Sequence, residues 1–288
     1  MGEHAREGIA VVTADPARAV VADARGKAAA LYQARRTRRP IPPFTDAEPH
    51  LSMADGYAIQ RELVPMLLAD GDEILGYKVG LTSRPMQRLI GVDSPDFGPV
   101  LASTRYRNGD DIPLDRFIAP KLEAEITFVM GERLQGAGIT VAQARRAVAG
   151  AAASMEIVDS RIEDWRIGLA DTVADLASNG AMVMSDHVLP LDGLDPRLVG
   201  MVLTRNGELV DTGAGAAALG DPLEVVAWLA GVLGERGLAL EPGHLVMTGA
   251  LHAAVPLEAG VEFVAEFDRL GPVGVLIVES GDEVGERG

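Results

Sequence analysis

Pro120-Lys121-Leu122-Glu123-Ala124-Glu125-Ile126-Thr127-Phe128-Val129-Met130 is an apolar strand pattern interrupted by two acids at a spacing of two. Strand side chains alternate, so Glu123 and Glu125 share one face while Leu122, Ala124 and Ile126 point to the other. Two like charges side by side repel, and taking a carboxylate out of water is costly. A half-buried pair therefore needs a cation, a shared proton or open water. The other reading is the solvated outer face of an edge strand, and the stretch by itself leaves both open.

A third acid follows in Ser154-Met155-Glu156-Ile157-Val158-Asp159-Ser160-Arg161, where Glu156 opens what reads as another strand. The preceding Ala-rich stretch, capped by Thr140, reads as a helix running up to it. Upstream, Glu73-Ile74-Leu75-Gly76-Tyr77-Lys78-Val79-Gly80-Leu81-Thr82 is a strand with one lysine among apolar residues. Such a lysine can snorkel to water or sit in a pocket as a titrating or anion-binding group, and the residues alone favour the first. A short helix from Met86 to Ile90 leads into Gly91-Val92-Asp93-Ser94-Pro95-Asp96-Phe97-Gly98, read as a turn-rich loop presenting two acids. Asp171 and Asp175 have the spacing that aligns side chains on a short helix.

The remainder sets the architecture. Asp15-Pro16 pairs an N-cap with proline at the first helical position, ahead of an Ala-rich helix to about Arg36. Arg35, Arg36, Arg38 and Arg39, followed by Pro40-Ile41-Pro42-Pro43, read as a helix end and an extended loop. Ser52 with Asp55 forms a capping-box pattern for a helix carrying Tyr57, Ile59, Leu63, Met66 and Leu67 and stopping at Gly71. Asn206-Gly207 signals a hairpin, and Asp221-Pro222 opens a helix to about Gly234. Strands are expected near 244–249, 261–267 and 273–278. Helices first and antiparallel-looking strands later make the fold class α+β rather than a doubly wound parallel sheet. The expected division is an N-terminal helical region over 1–72, a larger domain over 73–280, which the resemblance given below makes the catalytic one, and a frayed acidic tail over 281–288.

Composition excludes several functions. A net charge of -16 argues against a nucleic-acid or anionic-membrane binder. Cysteine is absent, which removes disulfides, thiolate nucleophiles and Cys-ligated zinc. With no membrane span and no leader pattern, a cytoplasmic protein is expected. The chain has no Gly-x-Ser-x-Gly elbow, Walker loop, His-Glu-x-x-His helix or strand-linked Gly-x-Gly-x-x-Gly, and its histidines lack ligand spacing. Three acids embedded in apolar strands suit an all-oxygen site for a hard divalent cation, magnesium (Mg2+) or manganese (Mn2+). Such a cation would neutralise the paired carboxylates and stabilise the enolate of a chelated 2-oxo acid.

Gly76-Tyr77-Lys78-Val79-Gly80-Leu81-Thr82-Ser83, Asp93-Ser94-Pro95-Asp96-Phe97-Gly98, Lys121-Leu122-Glu123-Ala124-Glu125, Met155-Glu156-Ile157-Val158-Asp159-Ser160-Arg161-Ile162 with Asp164-Trp165, and Val246-Met247-Thr248-Gly249-Ala250-Leu251 occur in this order. Together, over about residues 50–278, they resemble the 2-keto-4-pentenoate hydratase (2-hydroxypenta-2,4-dienoate hydratase) family of the fumarylacetoacetate hydrolase superfamily. The resemblance implies a mixed, rolled β-sheet core with helical additions and a divalent metal. It also implies a homo-oligomer, a pentamer or decamer, associating with neighbouring pathway enzymes. The implied reaction, in meta-cleavage catabolism of aromatic compounds, is hydration of a 2-hydroxydienoate to a 4-hydroxy-2-oxo acid.

Carried over by position, Glu123, Glu125 and Glu156 match the family's metal-ligand carboxylates. Lys78 matches the lysine near the substrate's carboxylate and enolate, and Asp96 the acid that works with it in proton transfer. Leu81, Ser160, Arg161, Ser178, Thr248 and Gly249 match positions that shape the substrate pocket. Two departures stand out: Leu176 replaces the asparagine of a usual Asp-Asn-Ala-Ser, which implies a changed substrate tail or reduced activity, and Asp221 replaces a histidine, as a capping substitution. Rival readings are a 4-oxalocrotonate decarboxylase, a fumarylpyruvate-type hydrolase lacking the usual Glu-His pair, and a non-catalytic metal-binding partner subunit.

Overall fold

The computed structural model describes residues 21–90 and 92–279, so Asp15-Pro16 and the acidic tail lie outside the described residues. Helices α1 (Ala24–Thr37), α2 (Phe44–Ala47) and α3 (Met53–Ala69) precede β1 (Ile74–Gly80). Then come α4 (Arg84–Ile90), β2 (Asp96–Leu101), β3 (Arg105–Arg107), β4 (Asp111–Pro113), β5 (Lys121–Met130), α5 (Val141–Ala147) and β6 (Val148–Val158). The chain continues through α6 (Leu169–Ala174), β7 (Asn179–Met184), β8 (Gly200–Arg205), β9 (Glu208–Ala214) and α7 (Pro222–Gly234). It closes with β10 (Leu245–Met247), β11 (Val255–Pro256), β12 (Val261–Phe267) and β13 (Gly271–Val278). No helix among the described residues is long and apolar enough to cross a membrane.

Two sheets build the α+β core. The larger runs β2-β1-β10-β5-β6-β7-β3, with β11 added on β5, and the smaller runs β4-β13-β12-β8-β9. Both are mixed: β1 with β10, β3 with β7 and β4 with β13 pair parallel, and the other neighbours antiparallel. One face of β5 carries Leu122, Ala124, Ile126, Phe128 and Met130, all fully buried against the second sheet and α7 through residues such as Phe263, Val225 and Leu229. Each large side chain so buried contributes about 1.5–3 kcal/mol. The other face curls until β2 approaches β7, enclosing Val100, Ala152, Met182, Met184, Leu245 and Met247. The acids of β5 lie on that inner face.

The caps behave as their chemistry requires. Ser52 and Asp55 exchange the two bonds of a capping box at the start of α3, and Asp221 accepts from the Leu223 amide at 2.9 Å to open α7. Helices α1 and α3 pack through Ala28, Leu31, Ile59 and Leu63 onto Leu101, Ile162 and Leu176. Asp171 ties α6 to α2 by accepting from the Phe44 amide at 2.7 Å, whereas Asp175, just past α6, turns to Arg161.

Two local expectations fail. The helix capped by Thr140 ends at Ala147, and Ala149-Gly150-Ala151-Ala152-Ala153 is part of the long strand β6. Alanine favours helix, but pairing with β5 along the whole length of the strand overrides that weak preference, and the small side chains fit the closely packed layers. Asp96-Phe97-Gly98 is strand rather than loop. Asp93 stays exposed, while Asp96 pairs with Gly80 across β1 and β2 and is buried.

Candidate active site

The register of β5 and β6 places Glu123 directly opposite Glu156, and Glu125 opposite Ser154. One carboxylate oxygen from each of the three glutamates lies within 4.8 Å of the other two. Glu125 and Glu156 are fully buried, and Glu123 is half-buried at the cavity edge. Glu125 Oε2 accepts from the Gly249 amide and Glu156 Oε1 from the Asn179 side-chain amide, both at 2.9 Å. The remaining oxygens, Glu125 Oε1 and Glu156 Oε2, make no hydrogen bond among the described residues. Burial, and then Glu156, pushes the Glu123 carboxyl up to about 7; burial, Glu156 and Glu123 push Glu125 well above its ordinary range. Two carboxylate oxygens without hydrogen bonds, inside a ring of mutually repelling acids, offer a donor set that could hold a hard divalent cation, whose charge would compensate all three.

Lys78 is held in the pocket, contrary to the snorkelling that its strand favours. It is 4% exposed, its Nζ lies 3.2 Å from Glu156 Oε2, and it donates to the Ala177 carbonyl at 2.9 Å. Burial works against its charge, but Glu156, Asp96, Glu123 and Glu125 outweigh that and raise its pKa above the ordinary value. Lys78 is thus a protonated donor. Asp96 lies beside it, with Oδ1 free of hydrogen bonds among the described residues, and burial raises its carboxyl while Lys78 opposes the rise.

The carbonyl that Lys78 engages belongs to an unusual turn. Leu176, Ala177 and Ser178 have φ of 56°, 53° and 56°, three successive non-glycine residues in the left-handed region. This conformation costs roughly 1–2 kcal/mol per residue, so the surroundings must hold it. Arg161 does so from one side, through Nε to Asp175 Oδ1 at 2.6 Å and Nη2 to the Asp175 carbonyl at 3.0 Å. Leu176 anchors the other, fully buried among the N-terminal helices. A Cβ on Gly98 would strike the Leu176 carbonyl, so that position needs glycine.

A cavity of about 480 Å³ opens over these groups, lined by Lys78, Leu81, Asp96, Glu123 and Ser178, with Lys121 at its mouth. Thr248 and Gly249 lie behind the acids instead. Thr248 Oγ1 donates to the Ile126 carbonyl at 2.8 Å, and Gly249, at φ 95°, would place a Cβ on Thr82 Oγ1. Ser160 and Arg161 are not brought to this cavity: Ser160 Oγ accepts from the Ile162 amide at 3.0 Å, and Arg161 faces the other side of the Asp175 turn. Leu176 does not face the cavity either. The asparagine-to-leucine departure therefore alters the packing behind the site rather than the substrate's surroundings.

Three residues make contacts that the sequence does not assign. Asn179, whose amide holds Glu156, carried only the signal of a polar residue opening an apolar strand. Lys121 and Trp165 form a cation–π pair at the cavity mouth, with Nζ 4.2 Å from the ring centre. Their contact depends on two segments far apart in sequence.

Residues 80–278 match the family model described as fumarylacetoacetate (FAA) hydrolase C-terminal. The chain belongs to the fumarylacetoacetate hydrolase family. Among its relatives in this family is a 2-keto-4-pentenoate hydratase of Paraburkholderia xenovorans (strain LB400), 42% identical over 246 residues, spanning 85% of this chain and 91% of the relative. A 2-hydroxyhexa-2,4-dienoate hydratase of Comamonas testosteroni is 36% identical over 251 residues, spanning 86% and 95%. Of solved structures, a 4-oxalocrotonate decarboxylase from Pseudomonas putida G7, complexed with magnesium and adipate, superposes with TM-score 0.86 at 33% identity, covering 88% of this chain and 97% of that one.

Proposed function

We propose that this fumarylacetoacetate hydrolase family member is a hydro-lyase, a divalent-metal-dependent hydratase. Its substrate is a 2-hydroxy-2,4-dienoate of the 2-keto-4-pentenoate type, its product a 4-hydroxy-2-oxo acid, and its setting aromatic meta-cleavage catabolism. The observation that carries this reading is the set of Glu123, Glu125 and Glu156 beside a charged Lys78 and a buried Asp96, in a chain 42% identical to a named hydratase.

Glu123, Glu125 and Glu156 would hold the cation, magnesium or manganese. When bound, it supplies Lewis-acid polarisation of the substrate's carboxylate and 2-oxygen. Lys78 lies where its ammonium can hold negative charge on that oxygen as the enol hydroxyl gives up its proton. Asp96, two strand positions from Gly98 and beside Lys78, moves protons: one is delivered to C5 as the dienol becomes the 2-oxo-3-enoate, and one is taken from the water whose hydroxyl bonds to C4. The water's proton ends on C3, which balances the addition. Ala177, through its carbonyl, orients Lys78, while Leu81 and Ser178 bound the substrate and Thr248-Gly249 fixes Glu125.

Val158, Ile167 and Leu169 give the cavity an apolar wall suited to an uncharged tail. The second reading, a 4-oxalocrotonate-type decarboxylase, is favoured by Lys121, a cation at the mouth that could meet a second carboxylate. We place the enzyme in the cytoplasm as a homo-oligomer; exposed Leu198, Val202, Leu209 and Val210, on and near the β8–β9 edge, support assembly. The deciding assay uses the magnesium-loaded protein. Loss of 2-hydroxypenta-2,4-dienoate absorbance with 4-hydroxy-2-oxo acid formation is expected. Carbon dioxide release from 2-oxohex-3-enedioate, with no hydration, would make it the decarboxylase, and neither activity would sink both readings.

A further inference from the structure

The basic end of α1 takes no part in the site above. Arg35, Arg36 and Arg38 from that end, Arg116 from the turn after β4 and Arg161 from the segment after β6 all line a second cavity, of about 270 Å³. It shares no lining residue with the cavity over the glutamates. Five arginines line this one recess in a chain of net charge -16.

Their charge is under-compensated. Arg36 is answered by Asp70 at 3.4 Å and Arg161 by Asp175 at 2.6 Å. Among the described residues, no carboxylate lies within ion-pair reach of Arg35, Arg38 or Arg116. The cavity's acid, Asp159, is already engaged: Oδ1 accepts from the Ala119 amide at 2.8 Å, both oxygens accept from Ile118 at 3.1 Å, and Arg161 Nη1 stands 3.9 Å away. Arg35 donates to the Asn179 carbonyl at 3.2 Å and is half-buried. Burial, and then the facing Arg161, lower its guanidinium to about 10. Tyr106 also lines the wall. Like charges converging in a recess cost free energy that an entering anion would recover, and planar guanidinium forks match the oxygens of carboxylate and phosphate.

We propose that this cavity is a binding site for a small oxyanion, phosphate or carboxylate, held by Arg35, Arg38 and Arg116 with Arg161 at its back. Behind it, Arg35 contacts the backbone of Asn179, the residue whose side chain holds Glu156, so the site lies one residue from the acid cluster.

The test is calorimetric titration of the magnesium-loaded protein with inorganic phosphate and, in a parallel arm, with succinate, at constant ionic strength. Arg38→Ala and Arg116→Ala remove exposed side chains and should fold, as circular dichroism checks; Arg35→Lys keeps the charge and loses the fork. Saturable binding to the wild type, weakened about tenfold or more in each variant, is expected, and the stronger of the two anions identifies the source. Three results overturn the proposal. Neither anion binds the wild type saturably; or affinity is the same in all variants, which puts the anion on the bound magnesium; or the variants lose assembly without any anion binding, which makes the arginines a subunit contact.

Discussion

Asn179, the first residue of β7, donates its side-chain amide to Glu156 Oε1 at 2.9 Å, while its backbone carbonyl accepts from Arg35 at 3.2 Å. A fully buried carboxylate is thereby fixed in orientation by a group that itself carries no charge. Asn179→Ala should leave Glu156 free to rotate and weaken magnesium binding on the order of ten- to a hundredfold. Titration calorimetry measures this; unchanged affinity would mean that the amide does not position the acid.

Leu176→Asn sets opposing effects against each other. Asparagine tolerates the left-handed φ of 56° better than leucine does, which recovers part of a penalty of roughly 1–2 kcal/mol. Burying an amide in the apolar cluster of α1 and α3 costs about 1–3 kcal/mol, and losing the leucine costs a further 1.5–3. The variant should therefore melt at a lower temperature while keeping its turnover and tail preference, since the side chain does not reach the cavity. A marked change of substrate preference at unchanged stability would contradict the placement.

Gly249→Ala should cost both stability and metal. At φ 95° its new Cβ would meet Thr82 Oγ1, and any shift that relieves the clash breaks the amide bond to Glu125. Loss of about 2 kcal/mol or more, with weaker magnesium binding, is the expected outcome of denaturant unfolding and titration.

The metal-free protein should show an unusual pH dependence. With the Glu123 carboxyl raised to about 7 by burial and Glu156, the folded chain retains a proton that the unfolded chain releases above its ordinary pKa of 4.5. This contribution to stability is full below 4.5 and is lost as pH rises through about 7. Chelator-treated protein should thus lose melting temperature between about pH 4.5 and pH 7, and the rise on adding magnesium should grow over the same range. Glu123→Gln should flatten both trends.

The sequence carried the pair on β5 because strand alternation is local: Glu123 and Glu125 fall on one face whatever the rest of the chain does. It carried the α3 and α7 starts for the same reason, since caps are contacts between near neighbours. Lys78 was different. Its burial depends on carboxylates from β2, β5 and β6, and from the strand alone snorkelling was the better reading. The Ala-rich start of β6 and the burial of Asp96 were hidden likewise, because long-range pairing, with β5 in one case and with β1 in the other, decides both. Leu176 could be placed in the motif but not in space.

Magnesium titration into chelator-treated wild type and into Glu125→Gln, with dienoate hydration followed in parallel, tests the three-glutamate site most directly. A single saturable site in the wild type, weakened about a hundredfold or more in the variant together with turnover, is the predicted result. Equal magnesium affinity and equal turnover in the two proteins would contradict it.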